Sequence, residues 1–462
     1  MLRISTGTGL RDCSGLTRRD FLRVGSLSLG GWNLRGLLET RALAADAGVP
    51  LRDKSVVLLF LTGGPSQIET FDPKGDAPAE FRSVTGEIGT SLPGVTFGAT
   101  FSGLAQRCDK LAIVRSFAHG VSEHTLAVEH VIRGGNPIHK AGIGSVASRL
   151  RSLRAPEGGI PWHIYSGANE VDRQFDKERL RLLSAAGPGE LGGAYGPFAI
   201  GGDSQLNDDM QLNLPRGRLD DRRTLQQELD RLQAGADARS ALGVHDDFDE
   251  QALELLLGSA KSAFDLTAED PRLVARYDTR KYITGITKDR PSTLGHQLLL
   301  ARRLCEAGCG FVTIHNPGWD MHGGPTQMNM PDGMRRLGEP VDRAVSAFLD
   351  DVEQRGLSDQ ILLIITGEFG RTPRVKPDGG RDHWPKLSTL ALAGGGLPMG
   401  QIIGRSTSKA EEPLSEPVTP ENLLGTVLHT LFDVPALRTG NALPGDLSSL
   451  IDRSPPIGEF VT

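Results

Sequence analysis

Five strand-length apolar runs constrain this chain most, each breaking into a loop of small and polar residues. Val56–Thr62 runs into Gly63-Gly64-Pro65-Ser66, and Leu111–Val114 into Arg115-Ser116-Phe117-Ala118-His119. Phe311–His315 leads to Asn316-Pro317-Gly318-Trp319-Asp320, Ile361–Thr366 to Gly367-Glu368-Phe369-Gly370, and Leu390–Ala393 to three glycines. Continuous rather than alternating hydrophobicity marks strands covered on both faces, the condition of a parallel sheet between helical layers. Helices fit between the runs. Pro340–Gln354 puts Val341, Ala344, Val345, Phe348 and Val352 on one face, and Leu294–Ala307 stops at Gly308. The expectation is a layered α/β/α fold with a mostly parallel central sheet. Residues 203–292 read differently. The charged amphipathic stretches Asp220–Leu232 and Asp249–Phe264 predict a mostly helical insertion or cap. A last helix is expected near Pro420–Leu431.

Charge is distributed unevenly along the 462 residues. The net charge is −6. Residues 1–44 carry seven Arg against Asp12, Asp20 and Glu39, a balance of +4, which leaves −10 on the remainder. An acidic body argues against a nucleic-acid binder, and no uncharged apolar run is long enough to span a bilayer. Thr17-Arg18-Arg19-Asp20-Phe21-Leu22-Arg23, followed by Val24–Leu29 and Ala42-Leu43-Ala44, matches a twin-arginine export signal with its cleavage site. The expected organisation is therefore a signal peptide over 1–44 and a single α/β domain over 45–462. The translocase would be a transient partner, and the destination periplasmic or extracellular. Cys305 and Cys309, four apart on the expected helix, read as buried free thiols; no CxxC zinc pattern occurs.

Ligands of open α/β sheets bind beyond the carboxyl ends of the strands. Those ends supply Thr62, Ser66, Glu69 and Asp72, then His119, Ser122, Glu123 and His124, then Asp320 and His322, then Glu368, and finally Arg381-Asp382-His383. Carboxylates and imidazoles are the ligands from which metal sites are built. Asp320, His322, Glu368 and His383 are the expected ligand set for zinc, manganese, calcium or magnesium. Taken alone, His119 and His124 each read as a polar loop residue or a donor behind the ligands, and His130 as a packing residue. Ser66 becomes a nucleophile candidate if a metal or base lies within reach, and Arg371 could clamp an anion.

These motifs together resemble the exported bacterial proteins grouped as domain-of-unknown-function family 1501. The resemblance rests on the twin-arginine start, Gly63-Gly64-Pro65-Ser66-Gln67 with Phe71-Asp72-Pro73-Lys74, Ser122–His124 with Gly134-Gly135, and Ala301-Arg302-Arg303-Leu304. It also rests on Trp319-Asp320-Met321-His322, Thr366–Pro373 and Gly380-Arg381-Asp382-His383-Trp384-Pro385. The family is similar to the alkaline phosphatase and sulfatase superfamily, which implies an alkaline-phosphatase-like fold and hydrolysis of phosphate or sulfate esters, whether small molecules or anionic polysaccharides. The resemblance makes Asp320 and His322 a metal pair, sets Glu368 where an Asp-His pair follows its strand, and makes His383 a later metal histidine. It also places the nucleophile near Ser122–Thr125, with His124 as a candidate for that position. Three departures stand out. Thr62 and Gly63 stand where a carboxylate closes the first strand, Phe369 replaces the histidine after Glu368, and no formylglycine motif occurs. Two readings follow: a metal-dependent ester hydrolase, or a non-catalytic exported binding or assembly protein that keeps the fold.

Overall fold

The computed structural model describes residues 51–136, 139–151, 160–168, 175–201, 261–285, 290–325, 327–439 and 443–461. The expected signal segment 1–44 lies outside them, as do Asp220–Leu232 and most of Asp249–Phe264. Twelve strands form among these residues: β1 Ser55–Leu61, β2 Glu87–Gly89, β3 Thr96–Gly98, β4 Ala112–Val114, β5 His163–Gly167, β6 Phe198–Gly201, β7 Phe311–Asn316, β8 Ile361–Thr366, β9 Gly370–Arg371, β10 His383–Trp384, β11 Leu390–Gly394 and β12 Gln401–Ile403. Eight build one sheet in the order β12-β4-β11-β8-β1-β7-β5-β6.

β8, β1, β7, β5 and β6 run parallel, whereas β11 is antiparallel to both β8 and β4. The sheet is thus mostly parallel, with a reversed strand inside it. The Leu390–Ala393 run did not reveal that reversal, because an interior strand is covered on both faces whichever way it points. β1 sits at the centre and is buried throughout. Val57, Leu59 and Leu61 feed one core with the helices Leu294–Glu306 and Glu339–Gln354. Val56, Leu58 and Phe60 feed the other with the helices His124–Ile132, Ile143–Arg151 and Pro420–Leu431. The continuous run is therefore two alternating sets, both apolar because both faces are covered. Leu61 pairs with Asn316 and Phe60 with Thr366, which brings the carboxyl ends of β1, β7 and β8 level.

β5, β6 and β12 were not expected. β5 reads His-Ile-Tyr-Ser-Gly, and its buried polar residues hide the apolar signal. In the described part of residues 203–292, Ala263, Phe264 and Tyr277 join the first core, and the Tyr277 hydroxyl donates to Asp351 at 2.9 Å. Cys305 and Cys309 are free and buried, but they do not share a helix face. The helix ends at Glu306, and Gly308 at φ +98° turns the chain before Cys309. Burial pushes the Cys305 thiol up to about 12 and Cys309 well above its ordinary value, so both stay protonated.

His163 and His315 lie buried on β5 and β7. Burial pushes both down to about 3, with a backbone contact to Tyr195 partly opposing it at His163. An unfolded chain protonates its histidines near pH 6.5, but the folded one resists until about pH 3. Stability is therefore complete above pH 6.5 and declines as pH falls between those values, by about 2 kcal/mol per histidine at pH 5. Urea unfolding at pH 7.5 and 5.0 should register this decline, and His315→Phe should shrink the difference by about 2 kcal/mol. An unchanged difference would contradict the assignment.

Candidate metal centre

Four strand-end segments meet above the level ends of β1, β7 and β8. Trp319 is fully buried; its indole donates to Asn316 Oδ1 at 2.8 Å and its backbone N–H to Thr62 O at 3.0 Å. That anchors the segment carrying Asp320 and His322 against the end of β1. His383 lies on the β9–β10 ribbon opposite Arg371. His124 opens a helix whose preceding residue, Glu123, caps it by accepting from Leu126 N–H at 2.9 Å.

Three imidazoles surround Asp320, and each is tethered from behind. His322 Nδ1 lies 2.8 Å from Asp382 Oδ1, His383 Nδ1 lies 3.0 Å from Ser122 O, and His124 Nδ1 lies 2.9 Å from Glu368 Oε1. Since these partners accept, the neutral rings carry their proton on Nδ1 and turn Nε2 inward. His322 Nε2 lies 3.0 Å and His383 Nε2 3.2 Å from Asp320 Oδ1, and the two Nε2 atoms are 3.0 Å apart. His124 Nε2 is 3.6 Å from Asp320 Oδ2. Lone pairs thus converge with no hydrogen between them, an arrangement that requires bound protons or a cation. Donor atoms of His124, Asp320 and His383 all fall within 4.8 Å of one another, so these three could hold a metal ion. Ligands about 2.0–2.1 Å from a tetrahedral ion stand roughly 3.3 Å apart, close to the spacing here.

The electrostatics agree. Burial opposes the charge on Asp320, but hydrogen bonds from His124, His322 and His383 and the Arg371 cation hold it far below the usual carboxylate range. Burial also opposes the His124 cation, yet Asp320 and Glu368 raise that ring to about 9. Asp320 likewise raises His322. Without a metal the cluster therefore retains protons at neutral pH, and an incoming ion must displace them.

The other expected residues fall into two groups. Glu368 is fully buried and stands behind His124: Oε1 accepts from Gly63 N–H at 2.8 Å as well as from His124. Ser122 is exposed and supplies its carbonyl to His383. Arg371 does not reach out to an anion. It is fully buried, with Nε on Gly64 O at 2.8 Å, Nη1 on Arg381 O at 3.1 Å, and Nη2 on Gly63 O, Trp319 O and Asp320 Oδ1. Its guanidinium ties the Gly63-Gly64 turn to Asp320. That turn needs glycine: Gly63 has φ +114°, and a Cβ there would lie 2.5 Å from Asp320 N. Ser66 is buried too, with Oγ accepting from Glu69 N–H at 3.3 Å, and offers no accessible nucleophile. Glu69 pairs with Arg381, and Asp72 with Lys74 and Arg115, away from the cluster.

Two participants had no expected part. Phe369 packs its ring 4.4 Å from His383 and 5.1 Å from His124. Glu178, on the helix Asp176–Ala185, is pushed up to about 8 by burial and by the charges of Glu368 and Asp320. Nothing in the charged sequence around Glu178 distinguishes it from a solvated helix face.

The profile of the family described as Protein of unknown function (DUF1501) matches residues 53–438. The chain belongs to that family. Among solved structures, this DUF1501 chain is similar to the PsFucS1 sulfatase from Pseudoalteromonas sp., at 12% identity over 90% of this chain and 72% of that one, TM-score 0.34. It is similar to the alkaline phosphatase from the Antarctic bacterium TAB5 at 9% identity over 83% and 98%, TM-score 0.32. It is also similar to the phosphonate monoester hydrolase SpPMH from Silicibacter pomeroyi at 11% identity over 82% and 73%, TM-score 0.31. No functionally curated protein matches the sequence. Among the described residues, no helix of this DUF1501 chain is long and apolar enough to cross a membrane.

Proposed function

We propose that this protein is an exported, metal-dependent hydrolase of phosphate or sulfate esters, with Asp320, His322, His383 and His124 holding one divalent ion. The observation that carries this reading is the convergence of three Nδ1-tethered imidazoles on the Asp320 carboxylate. Three nitrogens and one carboxylate favour zinc or manganese over calcium and magnesium, which prefer all-oxygen shells. Such an ion would polarise an ester oxygen and lower the pKa of a bound water or hydroxyl. Glu368 and Asp382 fix ring orientation from behind, and Arg371 holds Asp320. Ser122, exposed beside His124, is the hydroxyl we assign to nucleophilic attack. The twin-arginine pattern Thr17–Arg23 assigns the protein to the periplasm or beyond, and the substrate class is an anionic ester of a small molecule or polysaccharide.

The test is turnover of 4-nitrophenyl phosphate and 4-nitrophenyl sulfate by protein loaded with zinc or manganese. His383→Ala should lower the rate at least about a hundredfold, as should Ser122→Ala if the hydroxyl attacks. Full activity in the Ser122→Ala variant with loss in His383→Ala would give the attack to water. Turnover of neither ester by loaded wild-type protein would favour the second reading, an exported binding protein. What supports that reading is that Arg371 and Ser66, the expected anion clamp and alternative nucleophile, are both withdrawn from solvent.

A further inference from the structure

The loop between β4 and the helix His124–Ile132 contributes two groups to the cluster, the Ser122 carbonyl and the His124 ring. Besides its backbone bonds, one side chain that the cluster itself does not use ties it down. His119 Nε2 lies 2.5 Å from the backbone carbonyl of Glu368, and its Nδ1 accepts the Val121 N–H at 3.2 Å. A carbonyl only accepts, so Nε2 carries the proton and Nδ1 the lone pair; both ends of the ring are committed. The backbone N–H groups of His119 and Gly120 both approach Pro385 O, at 3.4 and 3.2 Å. The His130 ring packs 5.4 Å from His119, and Phe117 lies 6.5 Å away on another side. The imidazole thus joins the segment after β8 to the loop before the helix, and the backbone N–H groups beside it join that loop to the segment after β10.

From this geometry we infer that His119 is a positioning residue for the cluster: its two hydrogen bonds set the Ser122 carbonyl behind His383 and align His124 with Glu368. The inference rests on the metal reading above. Without the Nε2 bond, the loop loses its tie to the Glu368 backbone and keeps only the His124 contact with the Glu368 side chain. The acceptor that turns His383 Nε2 inward then shifts, together with the ring that faces Glu368. Partners behind metal-binding histidines are worth about 10–100-fold in metal affinity, and His119 acts on two of them at once.

The experiment is zinc titration of metal-stripped full-length protein against a chelator, with the visible spectrum of the cobalt-loaded form as a report of ligand geometry. His119→Phe removes both hydrogen bonds at similar volume. His119→Asn keeps an acceptor near Val121 N–H but falls short of Glu368 O, and His119→Gln carries an amide N–H long enough to reach it. The expected result is zinc affinity about 10–100-fold weaker in the Phe and Asn variants, with an altered cobalt spectrum, and recovery to within about threefold in Gln. If the Phe variant does not fold, the Asn and Gln pair carries the comparison. Lowered melting temperatures with unchanged zinc affinity and cobalt spectra would overturn the inference and leave the metal reading intact. Wild-type protein that binds neither zinc nor cobalt would overturn both.

Discussion

Asp320→Asn is expected to cost the protein at least about a hundredfold in zinc affinity while leaving it folded. An ion held by four protein ligands is bound by about 10–16 kcal/mol, so losing one charged ligand forfeits roughly 3 kcal/mol. The amide fills the same volume and still offers an oxygen to Arg371. What disappears is the negative charge between His124, His322, His383 and Arg371. The two raised imidazoles, His124 and His322, should then titrate lower, because Asp320 raises both. Chelator competition gives the affinity, and histidine NMR shifts follow the titration. Zinc affinity within threefold of wild type, roughly 0.7 kcal/mol, would remove Asp320 from the centre.

Glu69→Gln carries the largest expected stability loss. Glu69 and Arg381 are both fully buried, and the carboxylate accepts from Arg381 Nε and Nη2 at 3.2 and 3.1 Å, from Ser83 Oγ at 2.6 Å and from Thr85 N–H at 3.3 Å. Burial already presses the Arg381 guanidinium below its ordinary value, with Glu69 opposing that pressure. Removing one charge of such a pair leaves the other desolvated and uncompensated, at a cost of about 3–5 kcal/mol. Arg381 also donates to Thr372 O and Pro373 O, and its backbone carbonyl receives Arg371 Nη1. The same substitution should therefore loosen the ribbon that presents His383, and weaken zinc binding along with stability. Urea unfolding of metal-free protein measures the first effect. A loss below about 1 kcal/mol would mean that the pair is solvated and contributes little.

Glu69 also illustrates what the sequence could and could not convey. As a carboxylate just past a strand end it looked like a ligand candidate, but its partner lies over 300 residues away and consumes its charge. Arg371 was misread for the same reason. A guanidinium after a strand resembles an anion clamp until the Gly63-Gly64 turn folds back and surrounds it with carbonyl oxygens. The meeting of Asp320, His322 and His383 was legible, because the strand-end rule and the Asp-x-His spacing act locally. Met321 between them is buried, and the two flanking side chains share the open side. His124 was legible as a strand-end residue but not as a neighbour of Asp320, since that approach depends on where the helix it opens packs in the fold. The parallel strands β1, β7 and β8 and the helices Glu339–Gln354 and Pro420–Leu431 emerged almost to the residue, because long apolar periodicity overrides local detail. β5 did not, because burial of His163 and Ser166 is a tertiary outcome.

The central claim is that three tethered imidazoles and Asp320 form a single cation site. X-ray absorption spectroscopy on zinc-loaded protein tests it most directly. The expected result is one ion per chain, in a shell of about three nitrogens and one oxygen at 2.0–2.1 Å, with the imidazole signature lost in step with metal content in Asp320→Asn. A folded protein that takes up no zinc or manganese, or one whose bound zinc has an oxygen-only shell unaffected by Asp320→Asn, would contradict it.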